Sequence, residues 1–127
     1  MRRLRNVKII LSHGGGTLPY IAERPALLLP DTPFGEHLTE ESFLEDARAF
    51  YFDTALSSSK SQIAALKAFA APGHILFGSD FPYAPPPCIS KFNSRLVENL
   101  ADDPVLAEEI SFKSALRLFP RLAEQHK

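Results

Sequence analysis

The chain has 127 residues, which is enough for one domain and too few for two. Its net charge of -1, with 45% hydrophobic and 23% charged residues, is typical of a soluble globular protein and gives no indication of a nucleic-acid-binding surface. The basic residues at 2, 3, 5 and 8 fit a solvated helix end better than a nucleic-acid or membrane arm. A single cysteine excludes a disulfide framework, and no apolar run is long enough to span a membrane. We therefore expect a cytoplasmic protein without a nucleic-acid or membrane partner.

Strand and helix signals alternate along the chain. Short segments rich in β-branched and aromatic residues predict strands at 7–12, 49–55 and 74–79. A helix is predicted from Leu18 to Leu29, ending or interrupted near Pro25. Further helices are predicted after the capping residues Thr39, Ser57 to Ser59 and Asp103. Since strands separated by helices need right-handed crossovers, the order predicts a parallel α/β sheet, either a small open one or the end of a larger fold.

Two of these strands end on residues that can bind a metal or transfer a proton. The first leads into His13, which three glycines follow, and the third leads into Asp80. Catalytic groups of parallel α/β folds lie where strands end and the following loops begin. We therefore expect His13 and Asp80 to share a site.

Each of the two residues also has a structural alternative. His13 can be a metal ligand or general acid/base, or it can be bonded to a loop carbonyl. Asp80 can be a metal carboxylate, or an N-cap or Asx-turn residue in the loop that Pro82 fixes. One histidine and one aspartate are too few for a catalytic zinc site, which generally takes three protein ligands.

Four other side chains can have a functional or a structural role. Arg24 can hold a substrate carboxylate in a bidentate clamp or be an ordinary surface arginine. Asp53 can line the pocket, but we expect it to hydrogen-bond a neighbouring loop. His74 begins its strand, at the edge opposite to the expected site, and is predicted to be structural. Cys88 has no identifiable base partner and is predicted to be a buried small hydrophobe.

Two other motifs fit the glycines poorly. His-Gly-Gly-Gly at 13–16 occurs in the oxyanion loop of lipases and esterases, but the Gly-x-Ser-x-Gly elbow that this site needs is missing. The dinucleotide-binding pattern fails because the position of its third glycine is Pro19.

The segments LSHGGGTLPY (11–20), YFDTA (51–55), LFGSDFPY (76–83) and ALRLF (115–119) together resemble a known family. In this order they are similar to the sixth, seventh and eighth strands and the closing helix of amidohydrolase-related metal enzymes. Within that family they resemble the nonoxidative decarboxylases of the aminocarboxymuconate-semialdehyde and salicylate types. The resemblance implies that residues 1–127 are the C-terminal part of a metal-dependent-hydrolase TIM barrel, its last three βα units.

Residue by residue, the resemblance implies functions for three side chains. His13 corresponds to the catalytic acid or base, and Asp80 to an aspartate of the catalytic site that binds the metal. Arg24 corresponds to an arginine that reaches the substrate carboxylate of the neighbouring subunit, which implies a homo-oligomer. Ser114 stands where these enzymes often have asparagine. The implied cofactor is Zn²⁺ or another divalent metal.

The implied substrate is a small aromatic or unsaturated carboxylic acid. Decarboxylation and the hydrolysis of a lactone or amide both remain open, because the two reactions use the same ligands.

The family's His-x-His pair and its further metal histidine have no counterpart in the sequence. We therefore expect the chain to be inactive alone. It is either part of a metal-dependent enzyme or a non-catalytic truncated or split product that pairs with a missing N-terminal half. Three barrel strands would leave two open sheet edges, so we also expect self-association or poor solubility.

Overall fold

Three short parallel strands form the centre of the fold. The computed structural model describes residues 6–124, and positions 1–5 and 125–127 of the predicted domain lie outside this range. The strands pair in chain order, with Leu11 beside Phe52 and Phe52 beside Ile75. Their bounds are β1 Ile10–Leu11, β2 Tyr51–Asp53 and β3 Ile75–Leu76. The predicted parallel α/β sheet is confirmed. The strands are shorter than the predicted segments, because only two residues of each neighbouring pair of strands are in register as β-sheet partners.

Eight α-helices lie between and after the strands of the described chain. Their bounds are α1 Leu18–Ile21, α2 Glu23–Leu28, α3 Glu40–Arg48, α4 Lys60–Phe69, α5 Pro86–Asn99, α6 Pro104–Glu108, α7 Ser114–Leu118 and α8 Pro120–Glu124. Short 3-10 turns cover His13–Gly15 and Leu29–Asp31. Within residues 6–124, no helix is long and apolar enough to cross a membrane.

The predicted helix starts are confirmed by their capping bonds. Each N-cap side chain accepts a hydrogen bond from the backbone N–H three residues later: Thr39 from Ser42 (3.1 Å), Ser59 from Gln62 (3.3 Å) and Asp103 from Leu106 (3.1 Å). These bonds satisfy donors that the first turn of a helix leaves without partners. The starts of α3, α4 and α6 are therefore determined by their capping residues.

Two helices differ from the prediction. The segment 18–29 divides between α1 and α2 at Ala22, and Pro25 lies in the first turn of α2, where its missing N–H removes no helical bond. The helix that begins at Pro104 widens into a π-helical segment, Glu109–Lys113, before α7. The Ile110 carbonyl in this segment accepts a bond from Phe77 N–H at 2.9 Å.

The core lies around the central strand. Phe52 of β2 is 0% exposed, and its ring meets Phe69 of α4 edge-on, with centroids 5.9 Å apart. Other buried members of this core are Ala22, Ala26, Leu44, Ala47, Ile63, Leu66, Ile75, Leu96, Leu100 and Ile110. Because the core encloses β2, the position of the end of this strand is well defined, and the neighbouring loops pack against it.

The two outer strands leave apolar surface uncovered. Within the described residues, β1 and β3 each pair only with β2. Ile10 on β1 is 41% exposed, and Phe77 directly after β3 is 46% exposed. Open edges of this kind favour pairing with further strands. The expected self-association stays a prediction.

Candidate functional site

His13 lies in the turn after β1, at the C-terminal edge of the sheet. Its backbone is left-handed, with φ 55°, and the next three glycines are left-handed as well. A Cβ on Gly15 would lie 2.8 Å from the Phe52 ring, so only glycine lets the turn approach β2 this closely. The glycines after His13 therefore bring the histidine against the end of the central strand.

Two hydrogen bonds attach His13 to the residues at the end of β2. Its backbone N–H donates to Asp53 Oδ1 at 2.9 Å, and its Nδ1 lies 3.0 Å from the Ala55 carbonyl oxygen. Because a carbonyl oxygen only accepts, Nδ1 carries the hydrogen of this bond. The histidine is exposed, and within residues 6–124 its Nε2 has no hydrogen-bond partner. The bond to a loop carbonyl is therefore real, and it leaves Nε2 as the nitrogen that can transfer a proton.

Asp53 connects the ends of all three strands. Its Oδ1 accepts a second bond, from Ala55 N–H at 3.0 Å. On its other side, a Cβ on Gly78 would lie 3.0 Å from Asp53 Cβ and Cγ, so the residue after β3 packs directly on this side chain. The prediction that Asp53 hydrogen-bonds a neighbouring loop is confirmed.

Asp80 lies in the turn after β3, at the same edge of the parallel sheet as His13. Its backbone is left-handed, with φ 65°, and its carbonyl accepts bonds from Tyr83 and Ala84 N–H at 2.9 and 3.0 Å. The side chain that supports this turn is Ser79, whose Oγ accepts from Phe81 N–H at 3.2 Å. Within residues 6–124 the half-buried Asp80 carboxylate accepts no hydrogen bond, so the Asx-turn alternative is not what the structure contains.

The remaining predicted residues lie apart from this edge. Arg24 is exposed on α2, and no hydrogen bond or ion pair joins it to His13 or Asp80 in the described part of the chain. His74 begins β3 at the opposite edge, where its Nδ1 lies 3.1 Å from the Phe50 carbonyl oxygen, as a structural histidine should. Cys88 in the first turn of α5 is half-buried, so the prediction of a buried thiol is wrong.

A cleft of about 230 Å³ opens beside His13. It lies between the glycine turn and α4, and Tyr20, Ser57 and Gln62 contribute to its walls. The cleft gives a small ligand access to the histidine from the α4 side.

The donors at this edge suit a divalent metal in kind but not in number. Asp80 offers a hard carboxylate oxygen, and His13 a ring nitrogen. However, no group of three or more His, Cys, Asp or Glu residues within 6–124 is placed to hold a metal ion. A catalytic zinc takes three protein ligands, so residues 6–124 do not bring together a complete set.

The chain thus belongs to the class of parallel α/β proteins that have a histidine and a carboxylate at the carboxyl edge of the sheet. The amidohydrolase family model matches residues 1–121, and the chain belongs to this family.

Within this family, the chain is similar in sequence to decarboxylases of fungi. The chain is 50% identical over 116 residues to the 6-methylsalicylic acid decarboxylase of Penicillium expansum, covering 91% of this chain and 35% of that protein. It is 46% identical over 127 residues to the 6-methylsalicylic acid decarboxylase of Aspergillus aculeatus, covering 96% of this chain and 38% of that protein. The chain thus spans about a third of the length of these relatives. The resemblance to amidohydrolase-related decarboxylases is confirmed.

A crystal structure shows the same fold. Dihydroxybenzoic acid decarboxylase from a Polaromonas species, with bound manganese and the inhibitor 2-nitroresorcinol, superimposes with a TM-score of 0.72 at 21% identity. The match covers 94% of this chain and 35% of that protein.

Proposed function

We propose that the chain is part of a metal-dependent nonoxidative decarboxylase that acts on a small aromatic carboxylic acid. Residues 1–127 would form the last three βα units of its barrel. The observation that carries the proposal is His13, which stands at the carboxyl edge of the sheet with Nδ1 bonded to Ala55 and Nε2 available. The 50% identity to a 6-methylsalicylic acid decarboxylase supports the substrate class.

The chemistry asked of His13 is the delivery of one proton. When the bond between the ring carbon and the carboxylate breaks, carbon dioxide leaves and the electron pair stays on the ring carbon. His13, as imidazolium, donates the proton from Nε2 to that carbon. The Ala55 carbonyl accepts from Nδ1–H in both charge states, so the ring keeps one orientation throughout the transfer. A divalent metal such as zinc or manganese, when bound, would stabilise negative charge on the substrate oxygens.

Asp80 and Arg24 complete the proposed functions. Asp80 provides one oxygen ligand to the metal, since its carboxylate is not engaged by other groups in residues 6–124. Arg24 binds a substrate carboxylate, and its exposed position on α2 suits a substrate held by a neighbouring copy of the protein.

The chain by itself is proposed to be inactive. Within 6–124 the metal donors are incomplete, and both outer strands lack one neighbour. Both needs would be met by a complementary N-terminal part, either in the same polypeptide or as a separate chain.

A chimera tests the proposal. Residues 1–127 replace the segment of the Penicillium expansum decarboxylase that they match, and loss of 6-methylsalicylic acid and release of carbon dioxide are measured with added Zn²⁺ or Mn²⁺. We expect turnover by the chimera, none by its His13→Ala variant and none by the chain alone.

A folded, metal-loaded chimera that releases no carbon dioxide would contradict the decarboxylase proposal. If the chimera instead hydrolysed a lactone or amide, the hydrolase alternative would replace it. Turnover by the chain alone would contradict the proposal that residues 1–127 are inactive by themselves.

A further inference from the structure

We infer that Asp53 is a positioning residue that sets the orientation and tautomer of the His13 ring for proton transfer. The inference deepens the proposed function and rests on it for its catalytic meaning. Its structural part stands on the contacts of Asp53 alone.

A single carboxylate oxygen controls both attachments of the histidine. Asp53 Oδ1 accepts the backbone N–H of His13 at 2.9 Å and the backbone N–H of Ala55 at 3.0 Å. The carbonyl of the same Ala55 then accepts the ring Nδ1–H of His13 at 3.0 Å. The backbone of His13 and the acceptor for its ring are therefore fixed relative to each other by one side chain.

The backbone of His13 needs such support. Its φ of 55° is a conformation that residues other than glycine adopt rarely, and it persists only when surrounding bonds hold it. Within residues 6–124, the acceptor for the His13 N–H is Asp53 Oδ1. Without it, the turn can relax and carry the ring away from Ala55.

The Asp53 side chain is itself held in place from the third strand. Gly78 packs against it so closely that an added Cβ would lie 3.0 Å from Asp53 Cβ and Cγ. The Gly78 N–H donates to Thr54 Oγ1 at 3.3 Å, which keeps this segment beside β2. The carboxylate consequently has little room to turn away from His13.

His74 provides an internal control. Its Nδ1 also bonds to a backbone carbonyl, that of Phe50 at 3.1 Å, but its ring is held by stacking on Tyr51 with centroids 4.1 Å apart. It lies at the opposite edge of the sheet, so a change at Asp53 should alter His13 and leave His74 as it is.

The first experiment reads the two histidines directly. Asp53→Ala and Asp53→Asn are made in the full 127-residue chain, and the imidazole tautomers are measured by ¹⁵N NMR, with the His13 signals assigned from their loss in His13→Ala. We expect the Nδ1–H form of His13 in the parent chain and its loss in Asp53→Ala. Asp53→Asn should retain it, because the amide oxygen can accept the same two N–H groups. His74 should keep its tautomer in all variants.

A second variant serves if Asp53→Ala does not fold. Gly78→Ala keeps every polar group but pushes a methyl group against Asp53, so it should weaken the Nδ1–H form of His13 in the same direction. An unchanged His13 tautomer in the folded member of this pair would overturn the inference, as would equal damage by Asp53→Asn and Asp53→Ala.

The catalytic part is measured in the chimera. We expect Asp53→Ala to lower kcat by roughly 10- to 100-fold with little change in KM, as misplacement of a reacting group does. Asp53→Asn should restore most of kcat. If the chimera is inactive, the proposed function fails while the tautomer result still decides the positioning. A tautomer change with an unchanged kcat would overturn the inference.

Discussion

Replacing Gly15 by alanine tests whether the turn that carries His13 is fixed by close contact with β2. Gly15 has φ 74°, and an added Cβ would lie 2.8 Å from Cδ1 and Cε1 of the Phe52 ring. Phe52 is 0% exposed, and Phe69 packs on its ring from the α4 side. The ring therefore has little space into which it can retreat.

The size of the effect follows from two separate costs. A left-handed backbone costs an alanine about 1–2 kcal/mol. Forcing a methyl group into a filled core costs about 1–3 kcal/mol more. Gly15→Ala should thus lower the free energy of unfolding by about 2–5 kcal/mol.

Gly16→Ala is a control without a side-chain contact. Gly16 has φ 61° and ψ −119°, a combination that glycine alone adopts readily, and an added Cβ meets no atom within 4 Å. It should carry only a backbone cost, about 1–3 kcal/mol.

Urea unfolding of the two variants and the parent chain, followed by circular dichroism, gives the comparison, provided that the m values agree. Gly16→Ala shows what a strained backbone costs in this turn without a contact. If Gly15→Ala costs no more than the backbone cost of about 1–2 kcal/mol, the turn does not depend on the contact with Phe52, and the account of how His13 is placed fails.

Three further outcomes are expected. Ser59→Ala should destabilise the chain by about 1 kcal/mol in urea unfolding, because it removes the N-cap of α4; no loss would mean that the cap contributes nothing. The hydrogen bond from Lys67, and then that from Leu106 N–H, lower the pKa of Asp103. The stabilisation is therefore complete above the unfolded-state pKa and is lost as pH falls through the lower folded-state value, below about pH 4. Asp103→Asn keeps the cap acceptor and should flatten the decline of Tm in this range; an unaltered decline would assign it to other carboxylates. In the chimera, Asp80→Ala should lower metal content as well as turnover, while His13→Ala should abolish turnover and keep most of the metal. Equal metal loss in both would make His13 a metal ligand.

The parts of the fold that follow from neighbouring residues were predictable from sequence. Helix starts at Thr39, Ser59 and Asp103 depend on a side chain and an N–H three residues away, so local patterns contain them. The parallel order of the strands follows from their spacing and their intervening helices. The π-helical segment has no local sequence signal, and the bond that its Ile110 carbonyl accepts from Phe77 joins residues far apart in sequence.

The candidate site divides in the same way. His13 and Asp80 could be found because each follows an apolar strand at a glycine- or proline-rich turn. The bonds from His13 to Asp53 and Ala55 cross 40 and 42 positions and depend on the register of β1 and β2, which sequence does not specify. The support of the Asp80 turn by Ser79 was missed because aspartate and serine can both make such turns.

The contacts described here separate two requirements of the proposed reaction. The orientation of His13 is determined within the chain, by Asp53 and Ala55 after β2 and by Gly78 after β3. Metal binding, in contrast, needs donors that residues 6–124 do not bring together. The His13 ring can therefore be oriented for proton transfer in this chain before the metal site is complete. For this reason the tautomer of His13 reports on the chain itself, whereas turnover would report on its assembly with the remainder of the proposed barrel.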